Sequence, residues 1–168
     1  RPTRFKKINY FFDKITNEQE AYIFGLFLSD GSISKNIVKF SQKDVAILEK
    51  VRDYICPEAT INNKNLYICS KECYDNLRSI YKIETDKSHQ NFSIPNMEVH
   101  LKRHFIRGYF DGDGTIYKDG KNSALRFNIC SITENILKDI QEVLNSHNIE
   151  TTYNCENRSK KIFYNPQG

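Results

Sequence analysis

No stretch of this 168-residue sequence approaches the roughly 20 apolar residues needed to span a membrane, and no secretory signal is visible at its start. A membrane partner is therefore not expected. The expected location is the cytoplasm (at a host nucleoid) or an organelle, and not the secretory route. The five cysteines, Cys56, Cys69, Cys73, Cys130 and Cys155, include no C-x-x-C pair, which argues against a zinc ribbon and a disulfide framework. There is no Walker-type phosphate loop and no nucleophile elbow. His100 and His104 stand four apart, but Leu101 holds the place of the glutamate in a zinc-protease helix. The run from Asp111 is not an EF-hand, because its sixth position is Ile116 and its twelfth is Asn122. Nor is there a strong charge of one sign: 25 basic and 21 acidic residues leave +4. What basic clustering exists is local, at Arg1, Arg4, Lys6 and Lys7 and again at Arg158, Lys160 and Lys161.

What the chain does have is a repeat of itself. Residues 23–33 read IFGLFLSDGSI and residues 106–116 read IRGYFDGDGTI. Gly108 follows Gly25, Asp113 follows Asp30 and Gly114 follows Gly31, each by the same 83 residues. Further on, Val38-Lys39-Phe40-Ser41 matches Phe127-Asn128-Ile129-Cys130 at an offset of 89, as do Ile47, Leu48 and Val51 with Ile136, Leu137 and Ile140. The change of offset places about six extra residues in the second copy, at Lys118–Asn122, a turn-rich stretch.

Each copy reads in the same order. A helix starts from the cap candidates Thr16 and Asn17, with Gln19 and Glu20 placed for a capping box, and runs to Asp30. A hairpin follows near 32–34 and 37–42; alternation puts Val38 and Phe40 on one face and Ile37, Lys39 and Ser41 on the other. Asp44 caps a second helix that buries Ile47, Leu48, Val51 and Ile55. A second hairpin turns at Asn62–Asn65, and a helix over 71–81 closes the first half. The expected division is a basic arm at 1–15, a half-domain at 16–81, a polar linker at 82–94 and a second half-domain at 95–168. Pro95 is expected to open the second motif helix, which Gly114 ends. Nothing in the second copy matches the closing helix.

Two features of the repeated segment need a physical cause. Small residues recur at i, i+4, as Gly25 with Ser29 and Gly108 with Gly112; they form a flat face that lets two helices cross closely. Acids occupy the last turn of each helix, where the macrodipole disfavours them. Two carboxylates at two such ends call for a cation, and an all-oxygen set suits Mg²⁺ (or Mn²⁺) together with water and phosphate oxygens.

The two segments, Ile23 to Gly31 and Ile106 to Gly114, resemble the paired motifs of the LAGLIDADG homing endonuclease family, in its two-motif, single-chain form. The likeness extends over about residues 17–165. It implies an α+β fold: a pseudo-twofold pair of αββαββα half-domains packed through the two motif helices, with two antiparallel sheets forming a saddle over DNA. The second half lacks its closing helix. The resemblance implies a divalent-metal-dependent endonuclease that makes a double-strand break at a long site, as in intron homing, and acts as a monomer. On this likeness Asp30 and Asp113 are catalytic and metal-binding, with the backbones of Ser29 and Gly112 beside them. Gln42 and Lys43 orient water and charge in the first half. Their matches, Ser131 and Ile132, break the symmetry and imply unequal cutting of the two strands. Asp111 matches Leu28 and is secondary.

The sheets would read double-stranded DNA. Lys39 and Ser41 of the first half match Asn128 and Cys130 of the second, and Arg126 matches Ile37. Arginine and asparagine suit base edges in the major groove. Lys35, Lys64, Lys121, Arg158, Lys160 and Lys161 lie near turns and suit phosphates. The alternative is a nucleic-acid binder that does not cut, such as an RNA maturase or a DNA-binding regulator on the same scaffold; two clustered acids argue against it.

Overall fold

The computed structural model describes residues 11–87, 90–118, 120, 124–156 and 161–166. The first half contains α1 (Glu18–Asp30), β1 (Gly31–Ser34), β2 (Ile37–Ser41), α2 (Val45–Ile55), β3 (Thr60–Asn62), β4 (Asn65–Cys69) and α3 (Lys71–Ser79). The second contains α4 (Val99–Asp113), β5 (Gly114–Lys118), β6 (Leu125–Ser131), α5 (Glu134–Ser146), β7 (Thr151–Glu156) and β8 (Lys161–Pro166). Each half has one antiparallel four-stranded sheet, ordered β1-β2-β4-β3 and β5-β6-β8-β7. Among the described residues no helix follows β8.

The registers carry the repeat into three dimensions. Gly31 pairs with Phe40 and Gly114 with Ile129, which are matching positions at the two offsets. In the first half, β1 and β2 join through Lys35 and Asn36, both with positive φ, a two-residue turn suited to strand twist. Asn63 and Lys64 make the same turn between β3 and β4. In the second half the ladder extends by one further pair, Lys118 with Leu125. Part of the insertion therefore lengthens strands rather than only a turn.

Local chemistry explains the helix starts. The Asn17 side chain accepts from the Glu20 amide at 3.0 Å, and Glu20 accepts in return from the amide and hydroxyl of Thr16 at 2.7 and 2.8 Å. The capping box thus forms, with its return bond one residue earlier than usual. Asp44 caps α2 through the Ala46 amide at 2.9 Å. The second motif helix does not open at Pro95 but at Val99, after Glu98. The Ile94 amide is bonded to Asp139 of α5 at 2.8 Å, and the residues after it carry the chain from that anchor to the face of α1.

Helix α1 is the centre of the molecule: every residue from Ala21 to Leu28 is buried, as expected of a helix covered on all sides. One side meets α4, the most extensive contact between any two elements. The other meets Val38, Phe40, Leu66 and Ile68 of the first sheet, with Phe12 packed on Phe24 and Phe27. Cys73 and Leu77 of α3 close that core. The second half is more open. Phe127 is 45% exposed, whereas Val38 at the matching place is fully buried. The segment 82–94 is not merely a tether, because Ile83 is buried and Lys87 reaches into the molecule.

Candidate active site at the crossing of the motif helices

The helices cross glycine against backbone, reciprocally. A Cβ built on Gly25 would lie 2.0 Å from the Phe105 carbonyl oxygen and 2.9 Å from the Tyr109 nitrogen. A Cβ on Gly108 would lie 1.9 Å from the Tyr22 oxygen and 3.0 Å from the Leu26 nitrogen. Phe105 matches Tyr22 and Tyr109 matches Leu26 in the repeat, so the two contacts are images of each other. At the far end a Cβ on Gly112 would lie 1.9 Å from Ser29 Oγ. All four small residues predicted for the interface thus lie in it. Gly31 and Gly114 end the helices in extended conformation; a side chain at either would strike the ring and carbonyl of Phe27 or Phe110.

This crossing brings Asp30 and Asp113 together at the two helix C-termini. Burial raises the pKa of both. For Asp113 burial is reinforced by the charge of Asp30, and the carboxyl is pushed up to about 6. Gln42 at the end of β2 donates through Nε2 to Asp30 Oδ2 at 3.2 Å and to the Asp111 carbonyl at 3.0 Å, so it bridges the halves. The positive charge of Lys43 lowers the Asp30 pKa in part. The Asp111 side chain is turned aside, accepting from the Tyr22 hydroxyl at 2.7 Å.

Two contributors were not visible from sequence. Lys87 donates to the carbonyls of Phe27, Leu28 and Ser29, the outer two at 3.0 Å. It supplies the cation that the end of α1 lacks, since no basic residue lies in the last turn. Burial depresses its pKa to about 8, against the opposing pull of Asp113 and Asp30. In sequence it is one lysine in a polar linker, and nothing in spacing sets it apart. The second is Tyr109. The sequence suggests only apolar contact for it, yet its buried hydroxyl bonds to Ser131 Oγ at 2.9 Å and lies close enough to Asp113 to lower that carboxyl's pKa in part.

The donors present suit a hard cation. Two carboxylates and neighbouring backbone carbonyls are all oxygen, and burial raises both acids while Lys87 and Lys43 offset their charge only in part. No group of three or more His, Cys, Asp or Glu that could hold a metal occurs among the described residues. Mg²⁺ takes one or two carboxylates and leaves other positions to water and phosphate. The Ser29 carbonyl already accepts from Lys87; an ion there would share or displace that bond.

The predicted DNA-facing residues share one side of each sheet. Ile37, Lys39 and Ser41 are half-buried between the buried Val38 and Phe40. Arg126, Asn128 and Cys130 are likewise half-buried in β6. Ser41 Oγ donates to Asn65 Oδ1 at 2.7 Å. Asn128 donates to Cys130 Sγ at 3.4 Å, while its buried Oδ1 has no hydrogen-bond partner among the described residues. Lys35 and Lys64 stand in the tight turns. Lys121, Arg158 and Lys160 lie outside the described residues, as does the side chain of Lys161.

Two αββαββ units joined through acid-bearing helices, with one sheet apiece, define a pseudo-symmetric two-acid protein. The chain belongs to the LAGLIDADG family: the LAGLIDADG-like domain matches twice, over residues 17–80 and 100–165. Its fold is that of single-chain members. I-DmoI in complex with DNA and Mn superposes with a TM-score of 0.59 at 16% identity, over 88% of both chains. Meganuclease I-SmaMI bound to uncleaveable DNA gives 0.56 at 12%, over 86% of this chain and 77% of that one. The N-terminal LAGLIDADG domain of DUF199/WhiA gives 0.56 at 15%, over 99% and 85%. Among sequences, a DNA polymerase of Acanthamoeba polyphaga mimivirus is 29% identical over 143 residues, 73% of this chain and 8% of that protein. The RNA polymerase subunit Rpo1C of Methanocaldococcus jannaschii is 28% identical over 111 residues, 60% of this chain and 13% of that protein. The chain thus spans a small part of those polymerases. No helix among the described residues is long and apolar enough to cross a membrane.

Proposed function

We propose that this chain is a DNA endonuclease that makes a double-strand break at a long site by divalent-metal-dependent phosphodiester hydrolysis, acting as a monomer. The fold alone does not decide this, because WhiA shares it. The observation that carries the proposal is the acid pair. Asp30 and Asp113 are brought together and desolvated, which raises both, and the charge of Asp30 raises Asp113 further, at a stability cost that simple DNA binding does not require.

In this reading Asp30 and Asp113 hold Mg²⁺ or Mn²⁺, with the Ser29 and Gly112 backbones beside them. When bound, the ion supplies an activated water and neutralises charge on the scissile phosphate. Gln42 keeps Asp30 oriented through its 3.2 Å bond. Lys43 offsets part of the charge of Asp30, and Lys87 part of that of both acids. The side of the sheets bearing Lys39, Ser41, Arg126 and Asn128 takes the duplex. Lys35 and Lys64, with Lys121, Arg158, Lys160 and Lys161, reach phosphates.

The test is cleavage of a randomised duplex library with Mg²⁺, followed by sequencing of the cut ends. One recurrent long site is the expected product. Asp30→Asn and Asp113→Asn should bind that site and fail to cut both strands. Recovery of a bound but uncut sequence would instead support a regulator or maturase role.

A further inference from the structure

The two acids are held by different devices. In the first half Asp30 is met by the Gln42 amide. In the second half the place of Gln42 is taken by Ser131, and the place of Leu26 by Tyr109. These two substitutions occur together and touch: the Ser131 and Tyr109 oxygens are 2.9 Å apart, both buried. The Thr133 amide donates to Ser131 Oγ at 3.1 Å. Tyr109 stands one helical turn before Asp113 on α4, and the two line one cavity together with Ser131 and Lys87. With the Thr133 N–H donating to Ser131 and the Ser131 hydroxyl donating to Tyr109, the Tyr109 proton is left for the Asp113 carboxylate one turn further along α4. Leu26 and Gln42 cannot form this chain, so it serves one acid only. The Tyr109 ring is itself fixed, stacked on Phe105 at 6.3 Å and 23°.

We propose that Tyr109, wired through Ser131 to the backbone at the start of α5, is the positioning residue for Asp113, and that it supports cleavage of one DNA strand and not the other. The assignment rests on the endonuclease reading above. Its physical content is ordinary: a buried donor that holds a ligating carboxylate in one rotamer is worth about 10- to 100-fold in metal affinity or activity. The opposite strand, served by Asp30 and Gln42, supplies an internal control that a general packing defect would not respect.

The experiment uses the full chain and its selected duplex, with a different fluorophore on each strand, under single-turnover conditions. Tyr109→Phe keeps the ring and removes one oxygen; Ser131→Ala breaks the chain one step further back. Both should slow one and the same strand by about 10- to 100-fold and leave the other within about 3-fold, with duplex affinity unchanged. Mn²⁺ titration without DNA, followed by the spin-resonance signal of the free ion, should show weaker binding in Tyr109→Phe. Equal slowing of both strands, or no slowing of either, overturns the assignment and leaves the endonuclease reading intact. A wild-type chain that cuts neither strand overturns that reading, and this assignment with it.

Discussion

Replacing Gly25 by alanine tests the helix crossing on which the site depends. The added methyl would sit 2.0 Å from the Phe105 carbonyl oxygen and 2.9 Å from the Tyr109 nitrogen. Both are backbone atoms of a helix, so neither can swing aside, and the axes must part by more than about 1 Å to reach ordinary contact distance. Overpacking of this kind costs about 1–3 kcal/mol, and a clash against backbone belongs at the upper end. Alanine returns about 1 kcal/mol of helix propensity. The net loss is about 2 kcal/mol, or about 4–8 °C in Tm for a chain of this length. Thermal unfolding followed by circular dichroism reads it directly. Gly108→Ala should lose a similar amount, because its methyl meets the Tyr22 oxygen at 1.9 Å. The double variant should lose less than the sum, since helices already parted at one contact are eased at the other. Gly120→Ala is the control, with nothing within 4 Å of its added methyl. Melting of Gly25→Ala within about 1 °C of wild type would refute the reciprocal glycine-on-backbone contact.

Other expectations concern the acids and their lysine. Asp113 has a folded pKa of about 6 against an ordinary 3.8, so folding favours its protonated form. That stability is complete below about pH 4 and lost as pH rises through about 6. Asp113→Asn should therefore match wild type in urea unfolding at pH 4 and exceed it at pH 8 by about 1–2 kcal/mol, allowing for partial solvent access. Equal stability at both pH values would show that the pair is not under strain. Mg²⁺ should raise the Tm of wild type and not that of the double Asp30→Asn, Asp113→Asn variant, because only a ligand held by the native acids stabilises by mass action. Lys87→Met should destabilise by about 1–3 kcal/mol, since the Phe27, Leu28 and Ser29 carbonyls lose their donor. It should also move the acid limb of the cleavage pH profile upward, because Lys87 holds the Asp113 pKa down; an unmoved limb would separate Lys87 from the acids.

The amino-acid order determined what depends on near neighbours. The caps at Asn17 and Asp44, the alternation of Val38 and Phe40, and the i, i+4 spacing of Gly25 with Ser29 are interactions within about four residues, and they survive translation into structure intact. The repeat added the long-range fact that one helix must meet its own copy, which placed Asp30 beside Asp113. The tertiary structure alone decided the rest. Lys87 lies 58 residues from Ser29 in sequence, and only the path of the segment after α3 brings its ammonium to the end of α1. Tyr109 reads as one more apolar residue of a motif helix until folding buries its hydroxyl between Ser131 and Asp113. The start of α4 lies at Val99 rather than Pro95, and the Ile94 amide before it is held by Asp139 of another helix, a contact no local pattern records. Periodicity records which face a residue takes; the partner across that face is set by how the elements close on one another.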